Sequence, residues 1–512
     1  MTSITVYDGA NTIGGNKIYI EDKGKGIFLD FGMNFKKYGK YFQDFLKERS
    51  VRGIHDLIHL NLIPKLNIYR SDLNPSDLDL SPFPSLNIEA VLLSHAHMDH
   101  YGNIGLLNQN IPVIASPTSI ALLKGILDST KQSLNTEVAY FSKKISADDN
   151  RTLKSDRKDY IGRDFICTED YSNTFKDFLF SNIKASPRTK TEIKHGNLRD
   201  LGSQPTQFDI KAFEVDHSIY GSTGYIISGE TVIAYTGDFR LHGKRANDSK
   251  KFVNAAKGAS ILIIEGTRAK REKDISESED IVLNNCLKAA EEAKGIVIAN
   301  FSGRNIERLE IFQNIANQTK RKIVITAKIA YLLKSLEQVD GINRLKNLLI
   351  FDELKTQKRY WEENFLKGDE TIAANYIDSI DIAKEPKNYL LCLGFYDMKH
   401  LLDIKPEKGT YIYSSSEAFD EESELDFVRF NNWLKHFSFI IYGFEIIKDK
   451  GRLKPTFQKG FHASGHVAKK DIQWTIETID PDVIIPVHTD DPIWFNNFDK
   501  VVLLKNGQTH RI

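Results

Sequence analysis

The stretch His95-Ala96-His97-Met98-Asp99-His100 follows directly on residues 90–93, a short apolar segment that the sequence predicts to be a buried strand. Side chains two residues apart point the same way from an extended chain, so His95 and His97 face one point in space. Asp99 and His100 follow closely enough to reach a second point beside it. Imidazole and carboxylate groups suit Zn²⁺ and also accept Mn²⁺. The spacing therefore indicates a loop that holds two neighbouring metal ions.

Further ligand candidates stand at the ends of three other predicted strands. They are His217, Asp238 and His488. Two adjacent ions need more ligands than one loop supplies, and the Asp238 carboxylate could bridge them. A single histidine at a strand end is more often an ordinary surface residue. Three such residues after the histidine-rich loop favour one shared site.

The length and composition set the class of protein. A chain of 512 residues predicts two or three domains, and 41% hydrophobic with 27% charged residues is ordinary for a globular protein. No apolar run approaches 18 residues, which predicts no membrane span, and the first residues lack the pattern of a signal peptide. Three scattered cysteines form neither a disulfide framework nor a cysteine zinc site, so we expect a reducing cytoplasm.

The charge balance is neutral, with 69 basic and 69 acidic residues. It gives no support for a nucleic-acid partner, so any polyanion would have to bind at local patches. Residues 182–199 and 448–459 carry a local excess of lysine and arginine, although solvated loops of this kind are common without a ligand. Residues 35–70 form an aromatic and basic stretch that we expect to be helical in parts.

The pattern of strands and helices changes twice along the chain. Glycine-separated strand candidates at the start are typical of antiparallel hairpins, and strand candidates return after residue 205. Residues 141–205 are polar and poorly periodic, which predicts a long insertion or lid. From about residue 269 strands alternate with amphipathic segments, as in a parallel-sheet α/β unit. Near Gly460 the chain returns to histidine-rich loops and a final strand, so the α/β unit interrupts a metal-site domain.

A family resemblance accompanies these residues and extends from the first strand to the last, leaving residues 141–205 unmatched. The chain resembles the metallo-β-lactamase superfamily and, within it, the β-CASP branch of nucleic-acid-processing nucleases, which includes ribonuclease J and the mRNA 3′-end-processing endonuclease. Besides the histidine-rich loop, the motifs that carry the resemblance are Ile13-Gly14-Gly15-Asn16, Leu29-Asp30-Phe31-Gly32, Thr236-Gly237-Asp238-Phe239, Glu265-Gly266-Thr267, His462-Ala463-Ser464-Gly465-His466 and Pro486-Val487-His488.

The resemblance implies an α/β fold, namely a metallo-β-lactamase αββα sandwich with an inserted β-CASP α/β domain. We place the first part of the metallo-β-lactamase domain at residues 1–268, the β-CASP domain at residues 269–455 and the C-terminal part at residues 456–512.

The resemblance also implies a role for each site residue. One zinc ion would be held by His95, His97 and His217, and the other by Asp99, His100 and His488. Asp238 would bridge the ions, so Asp99 and Asp238 belong to the catalytic set. Glu265 would orient His466 as the proton donor to the leaving group, and His462 and Ser464 would hold a substrate phosphate.

The expected function is zinc-dependent hydrolysis of RNA that leaves a 5′-phosphate. Members of the branch that act on RNA carry a histidine at the position of His488, whereas DNA-repair members carry an apolar residue. Single-stranded RNA would thread a cleft beside the α/β unit, with Arg268, Arg304 and Arg308 as candidates for backbone contacts and a salt-bridged helix surface as the alternative for Arg308.

Several alternatives stay open. They are a DNA nuclease of the same branch, a lactone or thioester hydrolase, and a non-catalytic scaffold, although a scaffold should have lost ligands. Only 24 residues follow His488, and Thr489-Asp490-Asp491 departs from the usual Gly-Glu continuation, which leaves the exact subfamily and a homo-oligomer open. The choice between exonuclease and endonuclease is open as well.

Overall fold

The computed structural model contains both strands and helices. It describes residues 1–43, 45–156, 158–186, 191–203, 206–271, 278–415 and 421–512, without the side chains of 421–423. Numbered along the chain, the strands are β1 (Ser3–Asp8), β2 (Lys17–Asp22), β3 (Lys25–Leu29), β4 (Ile88–Leu92), β5 (Val113–Ala115), β6 (Tyr140–Phe141), β7 (Lys144–Ser146), β8 (Leu153–Ser155), β9 (Tyr160–Gly162), β10 (Phe165–Cys167), β11 (Ile193–Lys194), β12 (Leu198–Asp200), β13 (Asp209–Glu214), β14 (Thr223–Ser228), β15 (Val232–Tyr235), β16 (Ile261–Glu265), β17 (Ile296–Asn300), β18 (Lys322–Thr326), β19 (Leu348–Asp352), β20 (Tyr376–Asp378), β21 (Tyr389–Cys392), β22 (Gly409–Tyr413), β23 (Phe439–Tyr442), β24 (Phe444–Asp449), β25 (Arg452–Phe457), β26 (Val483–Val487) and β27 (Gln508–Arg511). The α-helices are α1 (Phe35–Tyr38), α2 (His55–His59), α3 (Met98–Tyr101), α4 (Pro117–Ser129), α5 (Asn173–Phe180), α6 (Ala246–Ala255), α7 (Glu279–Glu291), α8 (Ile306–Gln318), α9 (Ala327–Asp340), α10 (Tyr360–Lys367), α11 (Glu370–Ala374), α12 (Ser379–Lys384), α13 (Leu401–Ile404), α14 (Glu421–His436) and α15 (Lys469–Ile479).

Two sheets from the two ends of the chain pack face to face. The first has the order β12-β10-β5-β4-β3-β2-β1-β27 and the second β13-β14-β15-β16-β26. Strand β1 alternates buried and half-buried side chains, so Ile4 and Val6 enter the apolar layer between the sheets, where Ile263 and Ile485 meet them from the other side. The predicted antiparallel hairpins at the start of the chain are confirmed by the pairing of β1, β2 and β3.

Helices cover the outer faces of these sheets. Strand β16 is buried on both sides: Ile261 and Ile263 face the first sheet, whereas Leu262 and Ile264 pack in a second cluster that includes side chains of α6 and α15. Helix α4 covers the far side of the first sheet. The predicted α/β class and αββα sandwich are therefore confirmed.

A third sheet is built from the middle of the chain. Its seven strands are all parallel, in the order β20-β19-β18-β21-β17-β22-β23. Neighbouring side chains of β17 point to opposite faces, with Ile296 and Ile298 in one apolar cluster and Val297 and Ala299 in another. The predicted parallel-sheet unit is confirmed. The antiparallel hairpin β24–β25 follows it and leads back to the sandwich.

Helix α4 joins the sandwich to the parallel sheet. Almost every side chain of α4 is buried, because the helix lies between the first sheet and α9 of the inserted unit. The two helices approach so closely that a Cβ on Gly125 would lie 2.7 Å from Ser335 Oγ. Buried charges are paired here, since the Asp128 carboxylate accepts hydrogen bonds from Lys124 and from the hydroxyl groups of Tyr140 and Tyr331.

The polar segment 141–205 differs from the prediction of an insertion or lid. Strands β10 and β12 extend the first sheet beyond β5, and β9 and β11 join β6 in a small sheet of their own. Part of the segment is therefore sheet edge. Strands of two or three residues carry too little alternation for the sequence to reveal them.

In the part of the basic stretch at residues 182–199 that the structure describes, Lys184 and Lys194 have partners within the chain, whereas Arg199 is exposed. Lys184 is mostly buried and donates to the Leu127 carbonyl, while Lys194 lies 2.5 Å from an Asp159 carboxylate oxygen. Arg188 and Lys190 lie outside the described residues.

None of the helices in the described ranges combines the length and the apolar character that a membrane crossing requires. Cys167, Cys286 and Cys392 are buried and unpaired.

Candidate metal centre and catalytic site

The histidine-rich loop begins where β4 ends. Leu93 still donates to Ile114 of the neighbouring strand, and the chain remains extended as far as His97, which precedes the short helix α3. The extended part aims His95 and His97 to the same side, and the first turn of α3 then brings Asp99 and His100 to the adjacent position. The local geometry expected from the spacing is the one observed.

Close backbone packing fixes this loop. Gly32 lies directly beneath it, and a Cβ at that position would be 1.6 Å from the Asp99 carbonyl oxygen. Gly14 has φ +81° and touches Asp99 from the other side, where a Cβ would be 2.8 Å from the Asp99 Cβ. The glycines in two of the quoted motifs are therefore required by the close approach of the N-terminal loops to the metal loop.

The predicted ligands of the first ion lie together. His97 Nδ1 is 2.9 Å from His95 Nε2 and 3.2 Å from His217 Nε2. The three rings offer ligand atoms that all lie within 4.8 Å of one another. Burial lowers the pKa of His95 and of His217 well below the usual value, which keeps both rings neutral, the form that binds a metal.

The predicted ligands of the second ion also lie together. His488 Nε2 is 3.2 Å from Asp99 Oδ2, and His100 Nε2 is 3.7 Å from the same oxygen. His488 has φ +52°, a left-handed conformation that costs free energy in a non-glycine residue and is found most often at functional sites. The fold thus holds the His488 ring at this point against a local backbone preference.

Asp238 lies between the two sets. Its Oδ2 atom is 3.1 Å from His100 Nε2, 3.7 Å from His488 Nε2 and 3.8 Å from His95 Nε2, and the side chain is 2% exposed. Two buried atoms at this point, Asp238 Oδ1 and His100 Nε2, have no hydrogen-bond partner among the described residues. Buried polar atoms are rarely left unpaired in native proteins, and this set of imidazole and carboxylate donors fits divalent metal ions.

The electrostatics of His100 support the same fit. Burial acts to lower the pKa of His100, but the carboxylates of Asp238, Asp99 and Asp30 outweigh it and raise the pKa well above the usual value. These carboxylates favour a positive charge at the ring. A metal ion at Nε2 supplies that charge in place of the proton.

Hydrogen bonds on the outer side of the rings orient four of the histidines. In each ring Nδ1 is engaged, which leaves Nε2 facing the centre. The partners are Ser94 Oγ for His95 at 3.0 Å, Asp30 Oδ2 for His100 at 2.7 Å, the Gly465 carbonyl for His217 at 2.6 Å and Thr267 Oγ1 for His488 at 2.9 Å.

Asp30 is a functional residue that the sequence showed only as part of a motif. It is fully buried and accepts hydrogen bonds from His100 Nδ1, from the amide and hydroxyl of Ser94, and from the Tyr235 hydroxyl at 2.6 Å. Its motif and its place after a buried strand were the available signals. Its hydrogen-bond partners are distant in sequence, and only the fold brings them close to Asp30.

We expect Asp30→Ala to weaken zinc affinity about 10- to 100-fold, because His100 loses the carboxylate that fixes its ring and raises its basicity. Competition with a chromophoric zinc chelator measures this change. Asp30→Asn keeps the shape and an acceptor, so its loss should be the smaller one. Wild-type affinity in both variants would show that Asp30 has no part in metal binding.

Glu265 and His466 lie beside Asp238 as a pair. His466 Nδ1 is 3.0 and 3.1 Å from the two Glu265 oxygens and 3.7 Å from Asp238 Oδ2. Glu265 is buried and also accepts the backbone N–H of Phe239 at 3.0 Å. Burial acts to lower the pKa of His466, but Glu265 and then Asp238 outweigh it and raise the pKa to about 9. His466 therefore carries a proton at neutral pH.

His462 and Ser464 are not part of the metal-ligand groups found among the described residues. Both are half-buried. Ser464 Oγ accepts the backbone N–H of His466 at 3.2 Å, and His462 Nδ1 has no hydrogen-bond partner in the described chain. Burial, together with the charges of Arg308, Arg271 and Arg240, lowers the pKa of His462 to about 3. Arg240 and Arg308 are themselves paired with buried carboxylates, so their positive charges are balanced within the protein.

A buried ion cluster lies behind the centre and was not predicted. Its members are Asp216, Arg240, Glu279, Glu307 and Arg308. Arg240 Nε donates to Asp216 at 3.0 Å and Nη1 to Glu279 at 3.0 Å, and the guanidinium also contacts Glu307. Arg308 donates to Glu279 at 2.8 Å. The cluster connects residues next to His217 and Asp238 with the first turns of α7 and α8.

The three arginines expected to contact a nucleic-acid backbone differ in their burial and in their partners. Arg268 is buried and donates to the His466 carbonyl at 3.3 Å, and Arg308 is fully buried, so neither contacts a nucleic-acid backbone. The ion pair of Arg308 with Glu279 agrees with the alternative of a salt-bridged role, although in the interior and not on a helix surface. Arg304 is half-buried. Burial is the main cause that lowers the pKa of His97; Asp99 acts to raise it, and the charge of Arg304 acts to lower it further. Arg304 therefore remains a candidate.

Comparison with known proteins agrees with the resemblance seen in the sequence. No family model matches the chain. Ribonuclease J of Mycoplasma genitalium is 24% identical over 95% of this chain and 68% of its own length, and ribonuclease J of Pyrococcus abyssi is 20% identical over 95% and 90%. A crystal structure of an Enterococcus faecalis protein of unknown function matches 99% of both chains with a TM-score of 0.65 at 20% identity, which shows a shared fold. The predicted resemblance to ribonuclease J proteins is confirmed.

Proposed function

We propose, starting from its kinship with the ribonuclease J proteins, that this chain is a zinc-dependent ribonuclease that hydrolyses phosphodiester bonds and leaves a 5′-phosphate. The observation that carries the proposal is the position of Asp238, whose carboxylate lies between two groups of three ligands. When bound, two ions at this point would lower the pKa of a water molecule and offset charge on the phosphate oxygens. Zn²⁺ suits the donor set best, and Mn²⁺ is the alternative.

The chain's own residues would complete the reaction. His95, His97 and His217 would hold one ion and Asp99, His100 and His488 the other, with Asp238 shared. His462 and Ser464 would hold the phosphate, as suits a glycine-containing loop with free N–H donors. As the water oxygen bonds to phosphorus and a proton of that water is released to solvent, the P–O3′ bond would break, and protonated His466, oriented by Glu265, would donate its proton to the departing 3′-oxygen.

The proposed substrate is single-stranded RNA, in a cleft whose walls are the sandwich (residues 1–268 and 456–512) and the inserted β-CASP domain (residues 269–455). His488 favours RNA over DNA on the family pattern, and Arg304 would contact the phosphate backbone. The buried, unpaired cysteines support the expectation of a reducing cytoplasm. A homo-oligomer and both exonuclease and endonuclease modes are compatible with this site.

The test incubates purified protein with 5′-labelled single-stranded RNA and with DNA of the same sequence, with and without chelator. We expect RNA cleavage that chelator abolishes and Zn²⁺ restores, products that carry a 5′-phosphate, and DNA turnover at least about tenfold slower. Cleavage that resists chelator would overturn the metal mechanism, and equal turnover of DNA would overturn the RNA assignment. Lactone hydrolysis without cleavage of either nucleic acid would identify a small-molecule hydrolase.

A further inference from the structure

An exposed aromatic and basic segment borders the candidate metal centre. We call residues 35–49 the aromatic–basic tract; it carries five aromatic and five basic residues. Phe35 is 52% exposed, Tyr41 46% and Phe45 96%. Single exposed apolar side chains are normal on a protein surface, whereas three large aromatic side chains exposed within eleven residues of one segment make that segment a candidate interaction site.

The tract is anchored by its other two rings. Tyr38 and Phe42 are half-buried, pack with ring centroids 4.9 Å apart and lie against the core, and the Tyr38 hydroxyl donates to Glu48. Arg49 closes the far end through its ion pair with Asp56 at 2.6 Å. The segment is therefore fixed at both ends while Phe35, Tyr41 and Phe45 face outward.

The tract is continuous with the metal centre. Met33, two residues before Phe35, donates to the carbonyl of Met98 inside the histidine-rich loop at 3.0 Å. Asn34, the N-cap of α1, lies against Gly15, whose amide donates to the Asp99 carbonyl at 2.9 Å. Lys36 pairs with Asp490, two residues after His488, at 3.1 Å. The N-terminal end of the tract therefore lies beside the metal loop.

The charge of the tract fits a polyanion. Lys40 and Lys47 are exposed and take part in no ion pair within the described ranges, and Lys36 is 64% exposed although it contacts Asp490. A surface that combines lysines with exposed rings is typical of proteins that bind single-stranded nucleic acid, where phosphates meet the cations and bases stack on the rings. Lys37 and Arg49 are paired with Asp8 and Asp56, so Lys40 and Lys47 supply the unpaired positive charge of the tract.

We infer that Phe35, Tyr41 and Phe45 stack with unpaired bases of an RNA strand whose phosphate lies at the metal centre, so that the tract extends the binding site beyond the ligands. The inference rests on the proposed function for the identity of the strand. Base stacking tolerates any sequence and either sugar, so single-stranded DNA should bind the tract even though it is cleaved poorly. A duplex cannot use it, because its bases are already stacked.

The experiment uses zinc-loaded protein with Phe35→Ala, Phe45→Ala, Phe45→Trp and a control, Tyr360→Ala, which removes an exposed ring from α10. Fluorescence anisotropy measures the affinity for a single-stranded DNA of about twenty nucleotides and for the matched duplex, and steady-state kinetics give KM and kcat on RNA. We expect each alanine variant to bind the single strand about tenfold more weakly and to raise KM with kcat unchanged. Phe45→Trp and the control should match wild type, and duplex binding should not change.

The outcomes separate this inference from the proposed function. If wild type cleaves RNA and the alanine variants bind the single strand normally, the tract is not a binding surface for the strand. If wild type cleaves nothing while the alanine variants bind the single strand weakly, the tract stands and the ribonuclease proposal fails. Equal losses on single strand and duplex would overturn stacking. Normal RNA binding with loss of self-association in Phe45→Ala would assign the tract to a second copy of the chain.

Discussion

Asp238→Asn should remove bound zinc and lower the rate of RNA cleavage at least about a thousandfold. Asn has the shape of Asp but no negative charge, and Asp238 is the carboxylate within 3.1–3.8 Å of Nε2 of His100, His488 and His95. Without the Asp238 carboxylate, two cations would lie in a buried pocket, and Asp99 would be the one carboxylate left among their proposed ligands. Their mutual repulsion would then go largely unbalanced.

The zinc content per chain, measured by elemental mass spectrometry, is the primary readout, and cleavage rate is the second. Asp128→Asn is the matched control, since Asp128 is also fully buried and accepts several hydrogen bonds, but in α4 and away from the ligands. We expect that control to lose stability and to keep its zinc. Two equivalents of zinc in Asp238→Asn would contradict the bridging role.

The part of the site that is formed by residues close together in the sequence could be predicted. Four ligands lie within six residues after one strand, and their spacing in an extended chain followed by a helical turn decides their direction. His217, Asp238 and His488 each end or follow a strand of the second sheet, which brings them to one edge. The parallel sheet could be predicted for the same reason, because its strands are continuous apolar runs between amphipathic helices.

Features that depend on distant partners could not be predicted. Asp30 looks like any strand-end carboxylate until His100 and Tyr235 are placed around it. Arginine is seldom fully buried, so Arg308 was expected at the surface, and only the positions of Glu279 and Ser414 explain its burial. Strands β10 and β12 are formed by their neighbours in the sheet and carry no periodicity of their own.

The buried ion cluster connects the loops that carry metal ligands to the inserted unit. Arg240 lies two residues after Asp238 and pairs with Asp216, the neighbour of His217, so one guanidinium positions two ligand-bearing loops. Its other contacts, Glu279 and Glu307, belong to the inserted unit. Breaking a buried pair leaves an uncompensated charge, so the cluster resists any change in how the insert meets the metal loops.

His466→Ala should keep both zinc ions and lower kcat about 10²- to 10⁴-fold, the usual contribution of a positioned proton donor. His466 is 3.7 Å from Asp238 Oδ2 and forms a separate group with Asp238 and Glu265, but it belongs to neither of the two proposed ligand sets, so its removal should leave those sets intact. The combination of full metal content and lost rate distinguishes it from Asp238→Asn. Zinc loss in His466→Ala would make it a ligand, and full activity would exclude it as the proton donor.

The pH dependence tests the role of Glu265 separately. Because Glu265 and Asp238 raise the pKa of His466 to about 9, the protonated donor is present at neutral pH and is lost as the pH rises through that value. The rate should therefore fall on the alkaline side. Glu265→Gln keeps a hydrogen-bonding group but removes the charge, so the pKa should drop and the alkaline limb should move to lower pH by at least about one unit. An alkaline limb that stays in place in Glu265→Gln, with His466→Ala inactive, would mean that the limb reports another group and that Glu265 only holds the ring.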